Sequence, residues 1–198
     1  MMRRLFTLIL LIAAGAAQAQ QAEVTQLMEN YWRAYSRSDF EEAAGYLDPR
    51  DVASLRAGIL PLFLQAADSK NVNVVPLVKE FFANVPVEKR KDMTGPQVFA
   101  GMNRMMRDVM PAVYDALRKA TIQVNKVTIE SDDTAVVEYT VRIPEGDSVD
   151  SERANLHEGR WYLRTKDSTA ITIERFRMLL GLDFESGPEV KLSPIATP

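Results

Sequence analysis

Cysteine is absent from this sequence of 198 residues, and histidine occurs once, at His157. Without cysteine the chain forms no disulfide, so a packed core must hold it together even in an oxidising compartment. The same absence excludes a lipid-modified cysteine at a processed N-terminus. A single histidine cannot build a His-based metal cluster, and no cysteine is present to complete one. A Ser-His-Asp triad would have to use His157, which sits beside the turn pair Glu158-Gly159 and reads as an exposed turn residue. The motif GxSxG does not precede any helical pattern, and neither GxxxxGK[ST] nor GxGxxG occurs. No cofactor and no metal are expected.

Clustered positive charge is also missing. The formal net charge is -3, and the densest charge run, 88–92, mixes both signs. That is the pattern of a solvated loop, and it argues against a nucleic-acid partner, which needs grouped Lys and Arg to neutralise phosphates.

Long apolar runs are scarce. The longest, LFTLILLIAA over 5–14, follows Arg3 and Arg4 and precedes Ala17-Gln18-Ala19. A positive start, a short apolar stretch and a small-residue cleavage pattern read as a secretory signal over residues 1–19. Cleavage after Ala19 would leave 198 − 19 = 179 residues, and losing Arg3 and Arg4 would take the charge from -3 to -5. The expected location is the bacterial periplasm or the secreted space, with no membrane span in the mature chain.

What is present is helical first and pleated later. Val24, Leu27, Met28, Tyr31, Trp32 and Tyr35 recur at helical spacing, and a stop is expected near Ser36. Ser38 with Glu41 three positions on reads as a capping box for a short helix over 39–46. Asp48-Pro49 opens a third helix, with Val52, Leu55, Ile59, Leu62 and Phe63 as its buried stripe. Pro61 is expected to end or kink it. Val72 to Val75 is ambiguous between strand and helix, whereas Leu77, Val78, Phe81 and Phe82 favour a helix. A long helix follows Thr94-Gly95-Pro96 and should bend at Pro111.

From residue 120 the period changes. The stretch ATIQVNKVTIES is rich in β-branched residues and ends at Asp132-Asp133. TAVVEYTVRI then alternates, with Ala135, Val137, Tyr139, Val141 and Ile143 on one side, so the two read as a hairpin. Residues 144–151 read as a polar loop, and RANLHEGRWYLR as a second hairpin with Trp161 and Leu163 inward. TAITIERFRMLLG, 169–181, fits a strand or a helix. The expected organisation is one α+β domain over 20–186, with a flexible tail over 187–198 that holds three prolines.

An aromatic helix, then SRSDFEEAAGYLDP, then EGRWYLR, resembles the nuclear transport factor 2-like superfamily. The residues that carry the resemblance are Asp39, Phe40, Ala43, Ala44, Leu47 and Asp48 at the front, and Gly159, Arg160, Trp161, Tyr162 and Leu163 at the back. It spans roughly residues 23–56 and 120–166, and the region 59–120 is a longer, Met-rich helical insertion than that family needs. The resemblance implies N-terminal helices packed on a curved antiparallel sheet, cone-like, around a cavity. Similar folds serve as isomerases, cyclases, lipid carriers and association modules, so the fold alone fixes little.

The candidate pocket-lining residues are Tyr31, Trp32, Tyr35, Met102, Met106 and Tyr139. The methionines fit plain core packing, or a plastic lining for an apolar ligand. No carboxylate is expected inside: Asp39 suits helix capping better than catalysis, and Glu138 falls on the polar side of its strand. Three functions follow in order. The first is a non-catalytic binding or interaction module with a protein or hydrophobic small-molecule partner, able to form a homodimer through the open sheet face. The second is a carrier of a lipid or other hydrophobic ligand. The third is an isomerase- or cyclase-like enzyme.

Overall fold

The computed structural model describes residues 2–83, 85–144, 146–166 and 168–182. The expected tail over 187–198 lies outside them. The chain is α+β. Among the described residues seven α-helices are α1 (Met2–Ser36), α2 (Phe40–Ala44), α3 (Pro49–Ala66), α4 (Val75–Phe82), α5 (Gly95–Val109), α6 (Pro111–Lys119) and α7 (Thr169–Leu179), with a 3-10 helix over Val87–Asp92 between α4 and α5. Four strands, β1 (Thr121–Ser131), β2 (Thr134–Ile143), β3 (Gly146–His157) and β4 (Arg160–Leu163), form one antiparallel meander in that order.

The apolar stripe of α1 decides its position. Val24, Leu27 and Met28 are buried, and the helix lies across β1, β2 and β4. From residue 17 onward the first buried side chain is Val24, and residues 17–19 are exposed. No helix of the described residues is long and apolar enough to cross a membrane.

The α1–α2 corner differs from the expected capping box. Ser38 takes a left-handed conformation, φ 63°. Its N–H donates to Tyr35 O at 2.9 Å, and the Asp39 N–H donates to Ala34 O at 3.0 Å. This is a Schellman ending, so Ser38 closes α1 and Asp39 caps α2, accepting from Glu42 N at 3.2 Å. Asp48 caps α3 as expected, with Pro49 next. Pro61 does not end α3: it lies on the exposed face, where water can reach the Ala57 carbonyl it leaves unpaired. Pro111, by contrast, does more than bend a helix. It starts α6 after Met110 leaves helical geometry at φ -129°, ψ 59°.

The core is continuous from the sheet into the helical layer. On the sheet side Val137, Ala154, Trp161 and Leu163 pack under α1. On the far side Phe63 stacks on Phe81 at 3.7 Å between ring centroids, with Phe82 edge-on to Phe81 at 5.0 Å and Phe176 of α7 at 5.8 Å from Phe63. The ambiguous 169–181 segment is therefore largely helix, opened by Ser168, whose side chain accepts from Ile171 N.

Two features shape the sheet. Register shifts at Asn125 and Glu130 bulge β1 and add twist. The outer edge of β4 is closed by residues 46–48: Asp48 N donates to Leu163 O at 2.8 Å, and Leu163 N to Tyr46 O at 2.9 Å. A buried carboxylate locks this corner. Asp51 accepts from Arg164 Nε at 2.7 Å, Arg164 Nη2 at 3.0 Å and Thr165 N at 3.0 Å. The polar loop expected over 144–151 is a correction: from Gly146 onward it is strand, paired with β2 along its whole length.

Candidate functional site

Between α1, α6 and the sheet lies an open groove of about 480 Å³. One wall is α1, which presents Tyr31, Trp32 and Tyr35. Helical spacing puts the three on one side, with Tyr31–Tyr35 centroids 5.7 Å apart and Trp32–Tyr35 6.5 Å apart. The other wall is Val113, Ala116 and Leu117 of α6, and the floor is Tyr139, Val141 and Ile143 of β2. The walls are fixed by hydrogen bonds on their far sides. Trp32 Nε1 donates to Ala120 O at 3.4 Å. The hydroxyls of Tyr35 and Tyr114 donate to Asn103 Oδ1 at 2.8 and 3.1 Å, while Asn103 Nδ2 donates to Phe99 O at 2.9 Å. That network ties α1, α5 and α6 together. The Tyr31 hydroxyl has no hydrogen-bond partner among the described residues.

The far end of the groove is polar. Ser148, Asp150 and Glu152 alternate along the inner face of β3, and Lys166 approaches from the segment after β4. Lys166 Nζ pairs closely with Asp150 Oδ2 and stands 3.9 Å from Glu152 Oε1. The Tyr139 hydroxyl donates to the same Glu152 oxygen at 3.4 Å. Tyr31, Glu152 and Lys166 also line a smaller recess of about 120 Å³ that runs in toward Leu163 and Phe99.

The two carboxylates titrate in opposite senses. The hydrogen bond from Lys166 holds Asp150 below the usual carboxylate range. Burial pushes Glu152 above it, Asp150 adds to the rise, and Lys166 and Tyr139 pull back only in part. Burial also raises Tyr31 and Tyr139, and the Glu152 charge raises both further. Glu152 is thus an inward carboxylate, with a side chain only 16% exposed. This corrects the expectation that none lies inside. Glu152 was hidden because its strand neighbours run Asp147, Ser148, Val149, Asp150 and Ser151, whose single apolar residue faces outward, so the alternation that marks a half-buried strand is missing.

The sequence candidates fall into two places. Tyr31, Trp32, Tyr35 and Tyr139 share the groove. Met102 and Met106 do not: they line a separate cleft of about 380 Å³ beneath α7, with Phe176, Leu179, Thr172 and Arg175. The break at Pro111 is the cause, since it turns α6 toward the groove and leaves the α5 methionines against α7. Met105 is fully buried core and Met110 is exposed at the break. His157 stands at the β3–β4 turn, its ring 6.5 Å from Tyr162 on the outer face.

That outer face is polar. It carries Gln123, Lys126, Glu138, Arg142, Arg153 and Tyr162, and among the described residues Val149 is its one large exposed apolar side chain. Comparison of the chain with protein-family models, with curated proteins and with solved structures gave no match.

Proposed function

We propose that this chain is a non-catalytic binding module whose groove between α1, α6 and β2 holds a hydrophobic small molecule, and that it acts in the periplasm or secreted space after removal of residues 1–19. The observation that carries this reading is the groove's build: three aromatic side chains from one helix and three apolar ones from another face an apolar sheet floor, open to solvent. Its volume, about 480 Å³, lies in the range of small-molecule sites, which join a mostly apolar lining to a few placed polar groups. Packing of helices on a sheet around a hollow is also what the nuclear transport factor 2-like resemblance implies. A ligand site in the groove is favoured over a dimer through the open sheet face, because that face offers no contiguous apolar patch to bury.

The N-terminal processing suits the structure. Residues 17–19, at the expected cleavage point, are exposed, and Val24 beyond them is buried. Native mass spectrometry of the protein isolated from its own compartment tests the proposal. The expected spectrum shows a chain beginning at Gln20 and carrying a bound apolar molecule that is lost when Tyr139 and Trp32 are replaced by alanine. A wild-type spectrum with no adduct, from protein that never met detergent, would contradict it.

A further inference from the structure

We infer that the ligand of this groove is an organic cation: an amine or quaternary ammonium group joined to an apolar body. The inference rests on the groove being a binding site and adds the charge of what it binds. Its basis is a charge count at one end of an aromatic channel. Asp150 and Glu152 project from the same face of β3, and among the described residues Lys166 is the one cation lining the groove with them. Lys166 is committed to Asp150 and only approaches Glu152, at 3.9 Å. Arg164, the other cation at the inner recess, is held by Asp51 through two hydrogen bonds of 2.7 and 3.0 Å. One carboxylate therefore lacks a full counter-charge, in a place where water is partly excluded.

A group of that kind is costly to keep unpaired and is stabilised by a cation that arrives with a ligand. The remaining surroundings favour the same chemistry. Tyr31 and Tyr139 stand beside Glu152, Tyr139 through its hydroxyl at 3.4 Å, and Trp32 lines the same groove; aromatic faces attract ammonium groups through their quadrupole. A phosphate, sulfate or carboxylate head would meet Asp150 and Glu152 with one ammonium to balance both. The apolar body of the ligand would run along Val113, Leu117 and Val141.

The groups that face Glu152 are Tyr31 from α1, Tyr139 from β2, Asp150 on its own strand and Lys166 after β4, with Arg164 lining the inner recess, while α6 presents apolar side chains to the groove. Of these, Glu152 is raised and Asp150 lowered, so acidification removes charge from Glu152 first. Cation binding should weaken as Glu152 protonates.

Three single-chain amphiphiles of equal alkyl length test this, each below its micelle concentration: dodecyltrimethylammonium, dodecyl sulfate and the uncharged dodecyl maltoside. Trp32 fluorescence reports binding to the full chain, and the buried Trp161 gives a constant background. The expected result is that the ammonium compound binds about tenfold more tightly than either of the others, a preference of the size that a cation–π and carboxylate contact supplies. E152Q should abolish that preference. K166M should sharpen it, because it removes the competing ammonium. Equal or tighter binding of the sulfate or maltoside by wild-type protein overturns the inference and leaves the groove as a site. Failure of all three to bind overturns the inference and the groove reading together. If E152Q unfolds, the K166M comparison still decides: cation binding weakened by loss of Lys166 contradicts the charge count.

Discussion

At the residue scale, two carboxylates, the buried Asp48 and the half-buried Glu152, pull the stability of the protein in opposite directions with pH. Asp48 has no exposed side-chain surface and accepts from Arg50 Nη2 at 2.6 Å, Arg50 Nε at 3.0 Å and Arg50 N at 2.9 Å. The hydrogen bond from Arg50 is the main reason that Asp48 titrates below the usual range. Its folded pKa is depressed, so its contribution is present above the unfolded value, about 4, and is lost as pH falls through the folded value. Arg50 is more than half exposed, which limits the size of that contribution. Glu152 has the reverse sign. Its folded pKa is raised, so the folded state holds the proton more tightly than the unfolded chain, and stability is lost as pH rises from the unfolded value through the folded one. Thermal melts of wild type, D48N and E152Q across pH should separate the two. E152Q should match wild type near about pH 3.5, where a free glutamate is mostly protonated, and exceed it by a growing margin toward about pH 7. D48N should fall behind wild type as pH rises above about 4. A wild-type protein that gains on E152Q with rising pH would contradict the burial of Glu152.

At the element scale, helix spacing was legible wherever an apolar stripe repeats. The faces of α1, α3 and α4, the β1–β2 hairpin and the Glu158-Gly159 turn all follow from local patterns, and the positive φ values at 158 and 159, 50° and 78°, suit a tight two-residue hairpin. What stayed hidden depended on tertiary surroundings. The first half of β3 looks like a loop because its inward positions, Ser148 and Asp150, are polar and its one apolar residue, Val149, faces outward, yet β2 supplies a complete pairing partner. Glu152 and Lys166, the polar end of the groove, went unread for that reason. Pro61 and Pro111 look alike in sequence, but one lies on an exposed helix face and the other falls where the chain redirects. The close approach of α4 and α5 is a further tertiary fact. A Cβ on Gly101 would sit 2.7 Å from the Phe81 carbonyl oxygen and 3.0 Å from its ring. Alanine gains about 1 kcal/mol over glycine in a helix, and overpacking against a backbone atom costs about 1–3 kcal/mol. Gly101→Ala should therefore lower stability by roughly 1 kcal/mol in urea unfolding, with an unchanged m value. A variant more stable than wild type would mean that the α4–α5 contact is looser than it stands here.

At the scale of the whole molecule, a helical layer and a sheet share one core but separate at one end, and that separation is the groove. The Phe63–Phe81–Phe82 cluster and the Asp51–Arg164 pair hold the closed end. The Tyr35–Asn103–Tyr114 network holds the open end apart from behind, so that the aromatic wall stands without a ligand to support it. The aromatic residues were readable from the first helix alone, whereas their partners on α6 came from the break at Pro111. The most direct measurement is quenching of Trp32 by a bromine-labelled alkyl ligand, dodecyltrimethylammonium brominated near mid-chain. Trp32 lines the groove and Trp161 is 4% exposed in the core behind it. A ligand in the groove should quench Trp32 in a saturable way, leave Trp161 emission in W32F unchanged, and lose most of its affinity in Y139A. Equal quenching of both tryptophans, or quenching that never saturates, would contradict a ligand site between α1, α6 and the sheet.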